Sequence, residues 1–116
     1  MNRSEFGWDA LGGAIYAGAP FALYNTVIDS NTAESTAQNG RGVGGGLFVD
    51  IGTFWDQNGN QIQGSSYLIY NTIVDNYVSG QGNNENGESG GVHINHGNET
   101  FGTWWNNIFW GNRSDA

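Results

Sequence analysis

Two aspartates, Asp29 and Asp75, close matching blocks of this chain, Tyr24-Asn25-Thr26-Val27-Ile28-Asp29 and Tyr70-Asn71-Thr72-Ile73-Val74-Asp75. If the blocks are neighbouring strands, their carboxylates stand about 5 Å apart. Acids that close either share a proton or hold a cation such as Ca²⁺. Paired acids are also the working groups of polysaccharide hydrolysis. A plainer reading is a solvated acidic pair, because the third block, Trp105-Asn106-Asn107-Ile108-Phe109-Trp110, ends in tryptophan and no block holds Arg or Lys. Asp56 opens a different pattern, Asp56-Gln57-Asn58-Gly59-Asn60. Its alternating oxygen donors resemble a calcium loop, with glycine misplaced and no distal glutamate. An Asn-Gly turn explains the same residues.

The first residues of the three blocks, Tyr24, Tyr70 and Trp105, are aromatic. Facing outward, they would form a strip on which sugar rings stack, the phenol or indole edge bonding hydroxyls. Facing a neighbour, they would stabilise a sheet or pack beneath a loop. His93 and His96 are three apart, which on a strand sends them to opposite faces and away from a common metal. Sequons at Asn2, Asn98 and Asn112 permit N-linked glycan if the chain enters a glycosylating pathway. Gly40 to Gly46 lacks the Lys-Ser/Thr of a phosphate loop, and no serine or cysteine sits in a nucleophile elbow.

The elements that must position these residues are themselves repeated. Glycine pairs open apolar triplets at Gly12-Gly13-Ala14-Ile15-Tyr16, Gly45-Gly46-Leu47-Phe48-Val49 and Gly90-Gly91-Val92-His93-Ile94. From each asparagine-led block to the next glycine pair the chain advances 21 residues (Asn25 to Gly46) and then 20 (Asn71 to Gly91). From glycine to asparagine it advances 12, 25 and 15, so the repeat lengthens internally. The apolar runs are short and rich in Val, Ile, Leu and aromatic residues, which predicts strands, and 20 glycines supply their corners. Strands recurring in one order, with corners too brief for a helix, pair in parallel only if the chain coils and each copy stacks on the last. The expected fold is all-β, a parallel β-helix of about three coils rising about 4.8 Å per coil.

One domain is expected across residues 1–116: a coil tail at 1–11, then coils at 12–44, 45–89 and 90–116, with an insertion over 50–66 in the middle coil. The ladders this predicts are Asn25, Asn71 and Asn106 at a corner, and Val27, Ile73 and Ile108 or else Ile28, Val74 and Phe109 facing inward. Asp and Glu total 11 against 3 Arg and no Lys, for a formal charge of -8. Nucleic acid is excluded as a partner, since phosphate binding needs cations the chain lacks. There is no cysteine, hence no disulfide or thiolate zinc site, and no apolar run long enough to insert in a membrane as a helix.

Gly12-Gly13-Ala14-Ile15 and Phe109-Trp110-Gly111-Asn112 match the Gly-Gly-Ala-Ile and Phe-x-x-Asn signatures of chlamydial polymorphic outer-membrane protein repeats. Ile28-Asp29-Ser30-Asn31 keeps the second signature with Ile for Phe, whereas Val74-Asp75-Asn76-Tyr77 loses its final asparagine. The chain resembles these and related bacterial surface proteins over nearly its whole length. The resemblance implies a right-handed coil, secretion or surface display, and an adhesive or structural role, and it carries no catalytic residue. Asn2-Arg3-Ser4-Glu5 is similar to Asn112-Arg113-Ser114-Asp115, which predicts open, uncapped ends. Such ends would stack on themselves or on neighbouring coils. The expected function is therefore a non-catalytic, extracellular or cell-surface structural and adhesive segment, with no cofactor unless Ca²⁺. The competing expectation is a carbohydrate-binding or polysaccharide-degrading module.

Overall fold

The computed structural model describes residues 3–6, 9–51, 54–62, 65–80, 87–96 and 101–115. Among them the fold is all-β, with no helix. A first layer holds β1 (Arg3–Phe6), β2 (Ala10–Leu11), β3 (Ile15–Ala17), β4 (Phe21–Tyr24) and β5 (Val27–Asp29). A second holds β6 (Thr32–Ser35), β7 (Gly42–Val43), β8 (Leu47–Ile51), the excursion β9 (Phe54–Trp55) and β10 (Gln61–Ile62), then β11 (Ser65–Ile69) and β12 (Thr72–Val74). A third holds β13 (Tyr77–Ser79), β14 (Val92–His96), β15 (Phe101–Trp105) and β16 (Ile108–Trp110), and β17 (Arg113–Ser114) follows.

Each layer pairs with the next in parallel. The sheets run β4-β11-β15, β5-β12-β16, β3-β8-β14, β1-β6-β13-β17 and β2-β7, and Val43 bridges to Glu88 where β7 meets the third layer. Only β9 and β10 pair antiparallel among the described strands. They form a hairpin inside the predicted insertion, whose limits narrow because β8 continues to Ile51 and β11 resumes at Ser65.

Alternation decides what fills the interior. In each three-residue strand of the β5-β12-β16 sheet the central residue points in, so the inward ladder is Ile28, Ile73 and Phe109. Neither predicted set survives, because each mixed inward with outward positions: Val27 and Ile108 lie outward and exposed. Ile28 and Ile73 join Leu47, Val49 and Leu68 in the main core, with Ala14, Ile15, Leu23 and Val92 packed against it. Each of the five buried Ile, Leu and Val side chains contributes roughly 1.5–3 kcal/mol. A second, smaller cluster of Ala10, Ala33 and Val78 fills the space beneath β6 and β13.

The corners explain the asparagines and glycines. Three rows of left-handed residues run up the stack: Gly12, Gly44 and Ser89; Asn25, Tyr70 and Asn106; Ser30, Asp75 and Gly111. Each row is followed by residues that tie the layers together. After the third comes a ladder of Asn31, Asn76 and Asn112. Asn76 Oδ1 accepts from the backbone and side-chain amides of Asn31, both at 3.0 Å, and Asn76 Nδ2 donates to Ile28 O at 3.0 Å and to Asn112 Oδ1 at 2.9 Å. After the second comes Thr26, Asn71 and Asn107, bonded in the same manner, with Asn71 Nδ2 reaching Leu23 O and Asn107 Oδ1. After the first come Gly13, Gly45 and Gly90, where backbones approach too closely for a Cβ: one at Gly45 would run into the carbonyls of Gly90 and Tyr77.

This register corrects the predicted one by a single residue in two places. Ile69, not Tyr70, pairs with Tyr24 and Trp105, and Ile73 pairs with Ile28 and Phe109. The tied asparagines are therefore Asn71 and Asn107 with Thr26, while Asn25 and Asn106 form the left-handed corner beside Tyr70. The signature thought lost in the second copy is intact one residue earlier, as Ile73-Val74-Asp75-Asn76. Likewise Ile15 pairs with Leu47, so Gly12-Gly13-Ala14 stands against Gly44-Gly45-Gly46.

Candidate functional site

The register separates the predicted acidic pair. Asp29 pairs with Val74, which in turn pairs with Trp110, whereas Asp75 falls one residue later at the left-handed corner between Ser30 and Gly111. Asp29 Oδ1 accepts from Ser30 Oγ at 2.7 Å, and the Asp75 carboxylate packs over Gly111. The two aspartates are therefore not at equivalent positions of adjacent strands, as the matching blocks had implied. A one-residue slip moves a side chain to a different row, which is why the blocks misled.

Asp56 is absorbed by its own turn. Its Oδ1 accepts from the amides of Asn58 and Asn60, each at 2.8 Å, and its Oδ2 from Asn60 Nδ2 at 3.1 Å. The amides of Asn60 and its neighbours hold this carboxyl below its usual range, and Gly59 takes the left-handed position of the Asn-Gly turn. Among the described residues no three His, Cys, Asp or Glu side chains converge as a metal set would. Of the sequons, Asn2 and Asn98 lie outside the described residues. The Asn112 amide is engaged in the ladder, donating to Ile73 O at 2.7 Å.

The predicted aromatic strip is real in part and differently built. Tyr24 and Trp105 project from the outer face of the β4-β11-β15 sheet and are 51% and 65% exposed, with Ile69 between them in the middle layer. Tyr70 is also exposed, at the corner beside Ile69, with φ 58°. The strip continues onto the adjoining sheet through Val27, Thr72 and Ile108, and through Asp29, Val74 and Trp110. Trp110 is the most exposed of these side chains at 75%. Two further rings, Trp104 and Phe109, occupy inward positions of the third layer, 6.3 Å apart, yet remain partly exposed at its outer side.

A second feature escaped the sequence comparison. Tyr16, Phe48 and His93 stack on the outer face of the β3-β8-β14 sheet, with ring centroids 5.4 and 5.3 Å apart and planes within 13° and 4° of parallel. Aligning Gly12 with Gly45 had hidden this row, and the one-residue shift reveals it. Phe48 and His93 form one wall of a cleft of about 320 Å³. Its other walls carry Asp9, Arg41, Glu88, Asp50 and Asn95. Arg41 ties the layers there, binding Asp9 Oδ2 at 3.0 Å and Glu88 Oε1 at 3.4 Å, while its backbone amide donates to Asp9 Oδ1 at 2.9 Å. Burial raises the Asp9 carboxyl, but the hydrogen bonds and charge of Arg41 together outweigh it and hold the group below its ordinary value.

The cleft offers polar contacts without a reacting pair. Asp50 accepts from Asn95 Nδ2 at 3.3 Å, and Ser89 Oγ lies 3.3 Å from His93 Nδ1, with no carboxylate bonded to that histidine among the described residues. A nucleophile and base oriented by a third group are therefore not assembled among the described residues. No family model, curated protein or solved structure matches the chain.

Proposed function

We propose that the chain is a right-handed parallel β-helix segment of about three coils, acting outside the cell or at its surface as a non-catalytic structural and adhesive element. The observation carrying this reading is the division of labour between inside and outside. The asparagine and glycine rows bind one layer to the next, with Asn71 and Asn76 fully buried, while Tyr24, Tyr70, Trp105, Ile108 and Trp110 face solvent along one side. Soluble proteins seldom leave so contiguous an apolar stripe uncovered unless something binds there. A net charge of -8 favours dispersal in water and leaves contact to the apolar stripe.

Self-association by stacking belongs to the same reading, through the outer side of the third layer, where Trp104 and Phe109 await a further layer. The test is adherence. Beads carrying the folded chain should stick to polysaccharide- or protein-coated surfaces, and the buried change Asn76→Ala should abolish sticking under conditions that unfold the stack. Adherence that persists after unfolding would overturn the proposal, as would release of reducing ends from a polysaccharide substrate.

A further inference from the structure

We propose that the Tyr24–Trp105 face binds an extended, neutral, β-1,4-linked polysaccharide lying parallel to the stacking direction. The inference rests on the adhesive reading above and names its partner. Tyr24 and Trp105 both pair with Ile69, so they project from the same side of the sheet, two strand spacings or about 9.6 Å apart. In an extended chain of equatorially linked pyranoses each ring is turned over relative to its neighbour. The same ring face therefore returns at every second sugar, at a repeat close to that separation. Two aromatic platforms set one disaccharide apart meet alternate sugars of a straight glycan, with Ile69 beneath the sugar between them. Coiled α-1,4 and β-1,3 glucans do not present this repeat.

Tyr70 supplies an independent observation. It stands level with the intervening sugar, at a left-handed corner where the layers below and above carry Asn25 and Asn106. Asparagine tolerates that backbone, whereas a bulky aromatic there is strained by about 1–2 kcal/mol. Its ring is 61% exposed. Strain of this kind gathers where a ligand is held. Charge selects the same ligand: Asp29 and Asp75 are the charged groups of the strip, and a chain of net charge -8 repels acidic polymers. Asp29 and Thr72, beside the ring platforms, offer hydrogen bonds to hydroxyls.

The test is retention of the folded chain on microcrystalline cellulose and chitin, with starch and curdlan as α-1,4 and β-1,3 controls, and calorimetry with cellohexaose and cellobiose. Retention on a β-1,4 polymer alone is expected, with cellohexaose binding more tightly than cellobiose. Tyr24→Ala and Trp105→Ala should each weaken cellohexaose binding about tenfold, while Tyr24→Phe and Trp105→Phe retain most of it. Both platforms are exposed, and circular dichroism checks that the variants stay folded. Equal retention on starch or curdlan, or undiminished binding by the doubly substituted chain, overturns the proposal. Beads that adhere to protein-coated surfaces while ignoring every polysaccharide sink this inference and leave the adhesive reading standing. Beads that adhere to nothing sink both.

Discussion

Replacing Asn76 by alanine should be the most damaging single change to a polar residue in this chain. The side chain is wholly buried and makes four hydrogen bonds: two accepted from Asn31, one donated to Ile28 O and one to Asn112 Oδ1. The two side-chain partners keep other bonds, since Asn31 Nδ2 also donates to Asp29 O and Asn112 Oδ1 also accepts from the Asn76 amide. The backbone partners fare worse: the Asn31 N–H and the Ile28 carbonyl lose this contact in a corner closed to water. At about 1–3 kcal/mol for each buried group so stripped, the loss comes to about 4 kcal/mol. Domains of this size have about 5–15 kcal/mol in all. Urea unfolding followed by tryptophan fluorescence measures it, as a midpoint lowered by about 2 M at unchanged slope. A loss below about 1 kcal/mol, or one no larger than that of Asn58→Ala on the exposed turn, would refute the idea that the ladder holds the layers together. Asn76→Asp adds a check of sign. It keeps the acceptor but turns a carboxylate toward two oxygens, so burial and repulsion raise its folded pKa above the unfolded value. The penalty is absent below the unfolded pKa and grows as pH rises toward the folded one, so this variant gains stability relative to wild type on acidification.

Gly45→Ala should prevent folding or cost more than about 3 kcal/mol, because the backbone carbonyls of Gly90 and Tyr77 occupy the Cβ position, whereas Gly59→Ala meets open space and costs about 1 kcal/mol for its left-handed backbone alone. Thermal melts of the two variants compare them directly. Tyr70→Asn should raise stability by about 0.5–1 kcal/mol while weakening cellohexaose binding, the trade expected of a strained ligand contact. Carboxyl NMR titration should find Asp9 below its ordinary value, and Arg41→Met should raise it, because the side-chain hydrogen bond and the charge are lost while the backbone amide of residue 41 still donates. Because its side chain is 34% exposed, the stability linked to Asp9 should stay under about 1 kcal/mol. That contribution is present above the unfolded value and lost as pH falls through the lowered folded one.

Much of the layout was legible in the sequence because the repeat is written in residue types with few alternatives. Glycine pairs and asparagines announce corners, and short apolar runs between them announce strands. Register was not legible, since Tyr70-Asn71-Thr72 copies Tyr24-Asn25-Thr26 letter for letter while aligning one residue away from it. The discriminating signal was the inward alternation: only Ile28, Ile73 and Phe109 put an apolar residue three before each of Asn31, Asn76 and Asn112. That criterion also finds the pattern in all three copies, twice as Ile-x-x-Asn and once as Phe-x-x-Asn. The slip created the apparent Asp29–Asp75 pair and concealed the Tyr16–Phe48–His93 stack. The aromatic strip was anticipated because exposed rings declare themselves by type, but its two-spacing geometry follows only from the paired strands.

The asparagine ladders also give the molecule a direction. From Asn31 through Asn76 to Asn112, and from Asn71 to Asn107, the bonds between side-chain amides all run the same way, from Nδ2 to the Oδ1 of the next layer, while the second Nδ2 hydrogen of Asn71 and Asn76 reaches back to a carbonyl of the layer before. Aligned amides polarise one another, so the column behaves as an arrow with unlike tips, and reversing one layer would set donor against donor. Anything that lengthens the column must arrive with its own arrow pointing alike. Under the stacking proposed above, a further layer that continues this bond sequence would add head to tail, since a two-fold symmetric pairing would set like groups of the ladder against each other.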